Sequence, residues 1–138
     1  FEQIIGTPQQ VKLLYELLGE RLFNISHRSM PALKDHEEFV LNNPYLSWYL
    51  IKENSACIGD AYIMSNNCIG INLSHSSLCK MRTVIAFVKS KHKPLGEIKS
   101  VRPASFFLNV SPSHSQKIQA IEAIGAKPIQ ITYDLFDV

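Results

Sequence analysis

Between Tyr45 and Ser74 the chain carries three aromatic and aliphatic stretches separated by very short polar breaks. Tyr45 to Lys52, Ala56 to Ser65 and Cys68 to Ser74 each have the β-branched and aromatic content of a strand. Glu53-Asn54-Ser55 and Asn66-Asn67 leave room only for tight turns. Strands joined that closely must run antiparallel, because a parallel crossover needs a dozen or more residues. The middle of the chain is therefore an antiparallel meander, and the flanking segments must cover it.

Those flanks read as helices. Thr7 stands as an N-cap and Pro8 at the first helical position, after a short apolar piece from Phe1 to Ile5. Val11, Leu14, Leu17 and Leu18 then share one helical face as far as Gly19. Residues 20–31 look irregular. A second helix runs over Leu33 to Asn42, stopped by Asn43-Pro44, since a residue before proline disfavours the helical region. Beyond the meander, Leu78 to Lys91 is helical with Val84, Ile85, Phe87 and Val88 inward, and Lys93 to Pro103 is a loop. Ser105 to Val110 reads as a fourth long strand. Ser111 to Gly125 reads as a helix with Ile118, Ile121 and Ile124 inward, and Pro128 to Leu135 as a closing strand. The order β-α-α-β-β-β-α-β-α-β predicts an α+β fold: one domain over 1–138, with a mixed twisted sheet and helices on both faces.

Composition narrows the function classes. The 138 residues suit a single core. A net charge of +2 is far short of what a dedicated nucleic-acid binder carries. No apolar run reaches the roughly 18 residues of a membrane span. Cys57, Cys68 and Cys79 are odd in number and lack CxxC spacing, so a reducing compartment and inert thiols are expected. With no secretory signal visible, the expectation is a cytoplasmic protein, and the three Asn-x-Ser sequons at Asn24, Asn72 and Asn109 read as chance matches. No histidines have metal-ligand spacing, so no metal site is expected. His36 on its helical stripe reads as a packed residue, and His75 and His92 as solvated. Trp48, Tyr49 and Tyr62 read as strand packing, and Lys89, Lys91, His92 and Lys93 as a solvated helix end.

The element order resembles the GNAT superfamily of acetyl-CoA-dependent N-acetyltransferases. Asn24-Ile25-Ser26-His27, Met30-Pro31, His36-Glu37-Glu38-Phe39-Val40, Pro44-Tyr45 and Trp48-Tyr49-Leu50-Ile51 are similar to a subgroup that modifies amino sugars on nucleotide carriers. Ile58-Gly59, Ile69-Gly70-Ile71, Asn109-Val110-Ser111-Pro112 and Ile124-Gly125 fit the remaining landmarks. The resemblance implies that the strand at 68–74 splays from the one at 105–110 and that the pantetheine arm of acetyl-CoA lies in the gap. Ile71, Asn72 and Leu73 would meet the pantetheine and the acetyl carbonyl. His27 would act as base or sugar ligand, or else be a loop histidine bonded to backbone with an ordered water as the base, and Asn24, Ser26 and Arg28 would lie on the acceptor side.

The family's phosphate loop falls on Leu78 to Thr83, where Lys80 and Arg82 supply charge and Met81 and Thr83 stand at its two glycine positions. Its asparagine after the fifth strand falls on His114, which would either serve the cofactor and the departing thiolate or simply cap a helix. The usual tyrosine acid falls near Ala120-Ile121-Glu122, where no tyrosine stands. Two functions follow. The first is N-acetyl transfer from acetyl-CoA to a small amine, such as an amino sugar, by direct attack. The second is a catalytically impaired binding module of the same fold for a nucleotide, a sugar or a protein partner. The expected partners are a small-molecule acceptor and, as an open alternative, a second copy in a homodimer; neither nucleic acid nor membrane is expected.

Overall fold

The computed structural model describes residues 1–21 and 29–138. Its frame is the meander. β2 (Ser47–Glu53), β3 (Ala56–Ile63) and β4 (Ile69–Leu73) pair antiparallel in sequence order, and β1 (Glu2–Gln3) adds to the outer edge of β2. The tight turns work because Asn54, Ser55 and Asn67 accept positive φ, of 51°, 67° and 70°. Asparagine tolerates that region better than most residues.

Alternation along the strands sends side chains to two cores. Trp48 and Leu50 meet α1 (Pro8–Glu20) and α2 (Leu33–Leu41) through Val11, Leu14, Leu17 and Val40. Ile51, Ala61, Ile63, Ile69 and Ile71 face the other way, onto Met81, Val84 and Val88 of α3 (Leu78–Lys91) and Ala120 of α4 (Ser115–Ala123). The fold is α+β, with helices on both faces of the sheet. α1 starts on a full capping box, in which Thr7 Oγ1 accepts from the Gln10 amide and Gln10 Oε1 accepts from the Thr7 amide. Such a cap contributes about 1 kcal/mol.

Two glycines in the sheet are there for close approach. A Cβ on Gly59 would stand 2.1 Å from the Asn72 carbonyl oxygen. One on Gly70 would stand 2.0 Å from the ring of Tyr62, which itself stacks on Tyr45 at 4.0 Å. Gly70→Ala must therefore push a two-ring stack aside. The expected loss is on the order of 1–3 kcal/mol, read as a lower denaturation midpoint at unchanged slope.

Several elements differ from the sequence reading. Ser105 to Val110 is not a strand: it touches the ladder at one parallel bridge, Cys68 with Phe107, and then leaves it. Phe106 and Leu108 still pack on the core, so this apolar run is used for packing and not for a ladder. Pro128 to Leu135 forms no strand either. Its alternating Ile129, Ile131, Tyr133 and Leu135 are each at least 72% exposed, because no strand edge lies beside them. Among the described residues the order is thus β-α-α-β-β-β-α-α, and the regular ladder is antiparallel throughout. α4 begins at Ser115, four residues later than expected, and its buried positions are Lys117 and Ala120, with Ile121 and Ile124 partly buried beside them. Gly125 follows the helix at φ 105°, as a C-terminal glycine should. His36 is packed, with its Nε2 3.2 Å from the Val11 carbonyl. His92 is not fully solvated, since its Nε2 lies 2.8 Å from the Tyr49 hydroxyl. No helix among the described residues is long and apolar enough to cross a membrane.

Candidate functional site

The free edge of β4 creates the cleft. Successive residues of an antiparallel strand turn their backbone groups to alternate sides. The Cys68 carbonyl and the Ser74 amide are bonded to Met64 and Ile58, so the even residues face β3. Ile69, Ile71 and Leu73 then face outward. The Ile69 amide donates to the Phe107 carbonyl at 2.7 Å, and the Phe107 amide donates to the Asn67 carbonyl at 3.2 Å. Past that point the neighbouring chain pulls away. Two adjoining cavities of about 180 Å³ and 290 Å³ open beside β4, and both are lined by Arg21, Ile71, Asn72, His114 and Lys117.

The floor of the cleft is polar and built around one carboxylate. Asp60 is 0% exposed. Its Oδ2 accepts from Trp48 Nε1 at 2.9 Å, and its Oδ1 takes Arg21 at 3.2 Å and Asn72 Nδ2 at 3.3 Å. Strand alternation places Trp48, Asp60 and Asn72 on the same sheet face, which is why three separate strands contribute to one cluster. Among the described residues, two buried atoms nearby have no hydrogen-bond partner: Arg21 Nε and the Oγ of Ser76, which is 1% exposed and lines the larger cavity.

Lys117 enters from α4. Its side chain is buried, and Nζ donates to the Ile71 carbonyl on the outward edge of β4. Burial lowers its pKa from the ordinary 10.5 to about 8, with Arg21 adding to the fall and Asp60 and Cys68 opposing it. His114, at the N-cap of α4, is likewise lowered by burial and by the Lys117 cation. Burial pushes the Cys68 thiol up, so the sulfur beside the gap is a poor thiolate. Asn109 Nδ2 approaches that sulfur at 3.6 Å.

Of the residues singled out from sequence, the structure brings Ile71, Asn72, Leu73 and His114 together around this cleft. Lys80, Met81, Arg82 and Thr83 lie in the first turns of α3 and line neither cavity. The Met81 side chain is 0% exposed in the core, and its amide is bonded to the Ser77 carbonyl. Replacing Met81 by glycine would therefore open the core instead of freeing a phosphate loop. Lys80 lies 3.7 Å from Glu53, and the Thr83 hydroxyl donates to the Cys79 carbonyl. Asn24, Ser26, His27 and Arg28 lie outside the described residues.

Sequence reasoning missed Arg21, Asp60, Ser76 and Lys117. Two of them left a signal. Asp60 is a carboxylate inside an otherwise apolar strand. Lys117 opens the series 117, 120, 121, 124, a better helical stripe than 118, 121, 124. Among the described residues, no group of three His, Cys, Asp or Glu side chains is placed to hold a metal ion. Neither a known family, a characterised protein nor a solved structure matches the chain.

Proposed function

We propose that the cleft beside β4 holds an acyl thioester and that the chain transfers the acyl group to a small amine, as the sequence resemblance to acetyl-CoA-dependent N-acetyltransferases implies. The observation that carries this reading is the divergence at Phe107. Pairing stops after one bridge, while Ile71 and Leu73 keep outward backbone groups along an open gap. An extended amide-bearing arm such as pantetheine can take up such an edge as an added strand would. An outward amide of Ile71 or Leu73 would donate to the thioester carbonyl and hold the charge that develops there. The acceptor amine attacks in its neutral form, the C–S bond breaks, and His114 is close enough to the cleft to assist the thiol end.

One observation favours the binding-module reading instead. Lys117 already occupies the Ile71 carbonyl, so part of the edge is taken. One experiment separates the two. Calorimetry with coenzyme A and acetyl-CoA, beside an acetylation screen of amino sugars, nucleotide-linked amino sugars and simple amines, should show binding and at least one acetylated acceptor. Binding without turnover leaves the module; absence of both removes the thioester reading. His114→Ala should weaken coenzyme binding about tenfold, the worth of one lost hydrogen bond, and lower turnover with it. Unchanged affinity would place His114 away from the thiol end.

A further inference from the structure

We infer that Lys117 is itself an acyl acceptor: a thioester seated in the cleft beside β4 passes its acyl group to Lys117 Nζ, leaving an acylated lysine inside the cleft. The inference rests on reading the cleft as a thioester site.

Lys117 is the lysine that the fold buries; every other lysine is half-buried or exposed. Lys117 lines both cavities, so a ligand in either lies beside it. Its partner is a neutral carbonyl, and among the described residues no carboxylate lies within ion-pair distance of Nζ. A buried ammonium in that position is costly to keep charged. Burial is the largest influence on it and opposes the charge, as does Arg21, while Asp60 and Cys68 favour it. Acylation removes the charge and leaves one N–H, which is enough to keep the bond to the Ile71 carbonyl. A cavity of about 290 Å³ leaves space for an acetyl group.

The chemistry balances without another reagent. The lone pair of neutral Nζ attacks the thioester carbonyl carbon and forms the C–N bond. The C–S bond then breaks, and its electron pair leaves on sulfur. The proton shed by Nζ ends on that thiolate, so the products are an amide and a free thiol. A lowered pKa raises the neutral fraction of this amine near pH 7 well above that of exposed lysines.

The test uses the full chain with acetyl-CoA and no added amine. Peptide mass mapping compares Lys117 with exposed Lys12 and Lys99 over time. Lys117 should acetylate on the order of tenfold or more faster than either. Excess free coenzyme A should slow Lys117 and leave Lys12 and Lys99 unchanged. Labelling that follows exposure, with Lys117 among the slowest sites, overturns the inference, as does failure of coenzyme A to protect it. Calorimetric binding of coenzyme A with Lys117 unlabelled overturns the inference alone. No binding and no labelling overturns the thioester reading with it. In Lys117→Arg the fast phase should vanish, and the wild-type protection assay stands without that variant.

Discussion

Asp60→Ala is expected to destabilise the protein by about 3–5 kcal/mol, the range for breaking a buried ion pair from one side. The substitution strands two donors at once. Trp48 Nε1 loses its acceptor in the α1 core, and the Arg21 guanidinium loses its carboxylate. Asn72 loses its contact with the same group. Arg21→Met should cost much less, because the Arg21 side chain is 25% exposed and Asp60 keeps Trp48 and Asn72. Asp60→Asn should fall between the two, since an amide oxygen still accepts from Trp48. Urea unfolding of the four proteins would measure this. A loss below about 1 kcal/mol for Asp60→Ala would mean that water satisfies the stranded donors and that Asp60 does not order the cleft floor.

The same cluster shows what the sequence could and could not carry. The meander was legible because its turns are too short for any other connection, and Asn54 and Asn67 sit where positive φ is needed. The first helix was legible because capping and apolar spacing agreed from Thr7 to Leu18. Residues 105–110 and 128–135 read as strands from the same composition, yet strand propensity measures fit to a sheet and says nothing of where a sheet edge lies. Phe107 meets the edge of β4 once, and Ile129 to Leu135 meet none. The resemblance implies a splay between two strands, whereas the open edge at Ile71 and Leu73 lies beside a segment that is not a strand. The polar floor was not legible. Its members sit in positions far apart in sequence: strand register joins Trp48, Asp60 and Asn72, and the end of α1 brings in Arg21. From sequence Lys117 reads as a solvated helix residue, as lysines ordinarily are, and a helix start at Ser111 favours the stripe 118, 121, 124.

Lys117→Met is expected to stabilise the protein at neutral pH, and the gain should fade as pH rises. Lys117 has a folded pKa of about 8 against an ordinary 10.5. Below pH 8 the amine is charged in both the folded and the unfolded chain, so folding carries the full cost of burying the charge. Between about pH 8 and 10.5 the unfolded chain binds more protons than the folded one, and stability contributed by this group rises with pH. Above 10.5 both states are neutral and the cost is gone. The shift corresponds to about 3 kcal/mol at pH 7. Losing the hydrogen bond to the Ile71 carbonyl offsets about 1 kcal/mol of the gain. Burial raises Cys57, Cys68, Tyr45 and Tyr62, which act with the opposite sign in the alkaline range. The wild-type curve alone therefore mixes both trends, whereas the difference between wild type and Lys117→Met isolates the lysine. Denaturation midpoints of the two proteins at pH 7, 8, 9 and 10 should converge from an initial advantage for methionine. A methionine variant less stable than wild type at pH 7 would show that the cleft compensates the Lys117 charge, and a gap that stays constant with pH would place the amine in contact with bulk water.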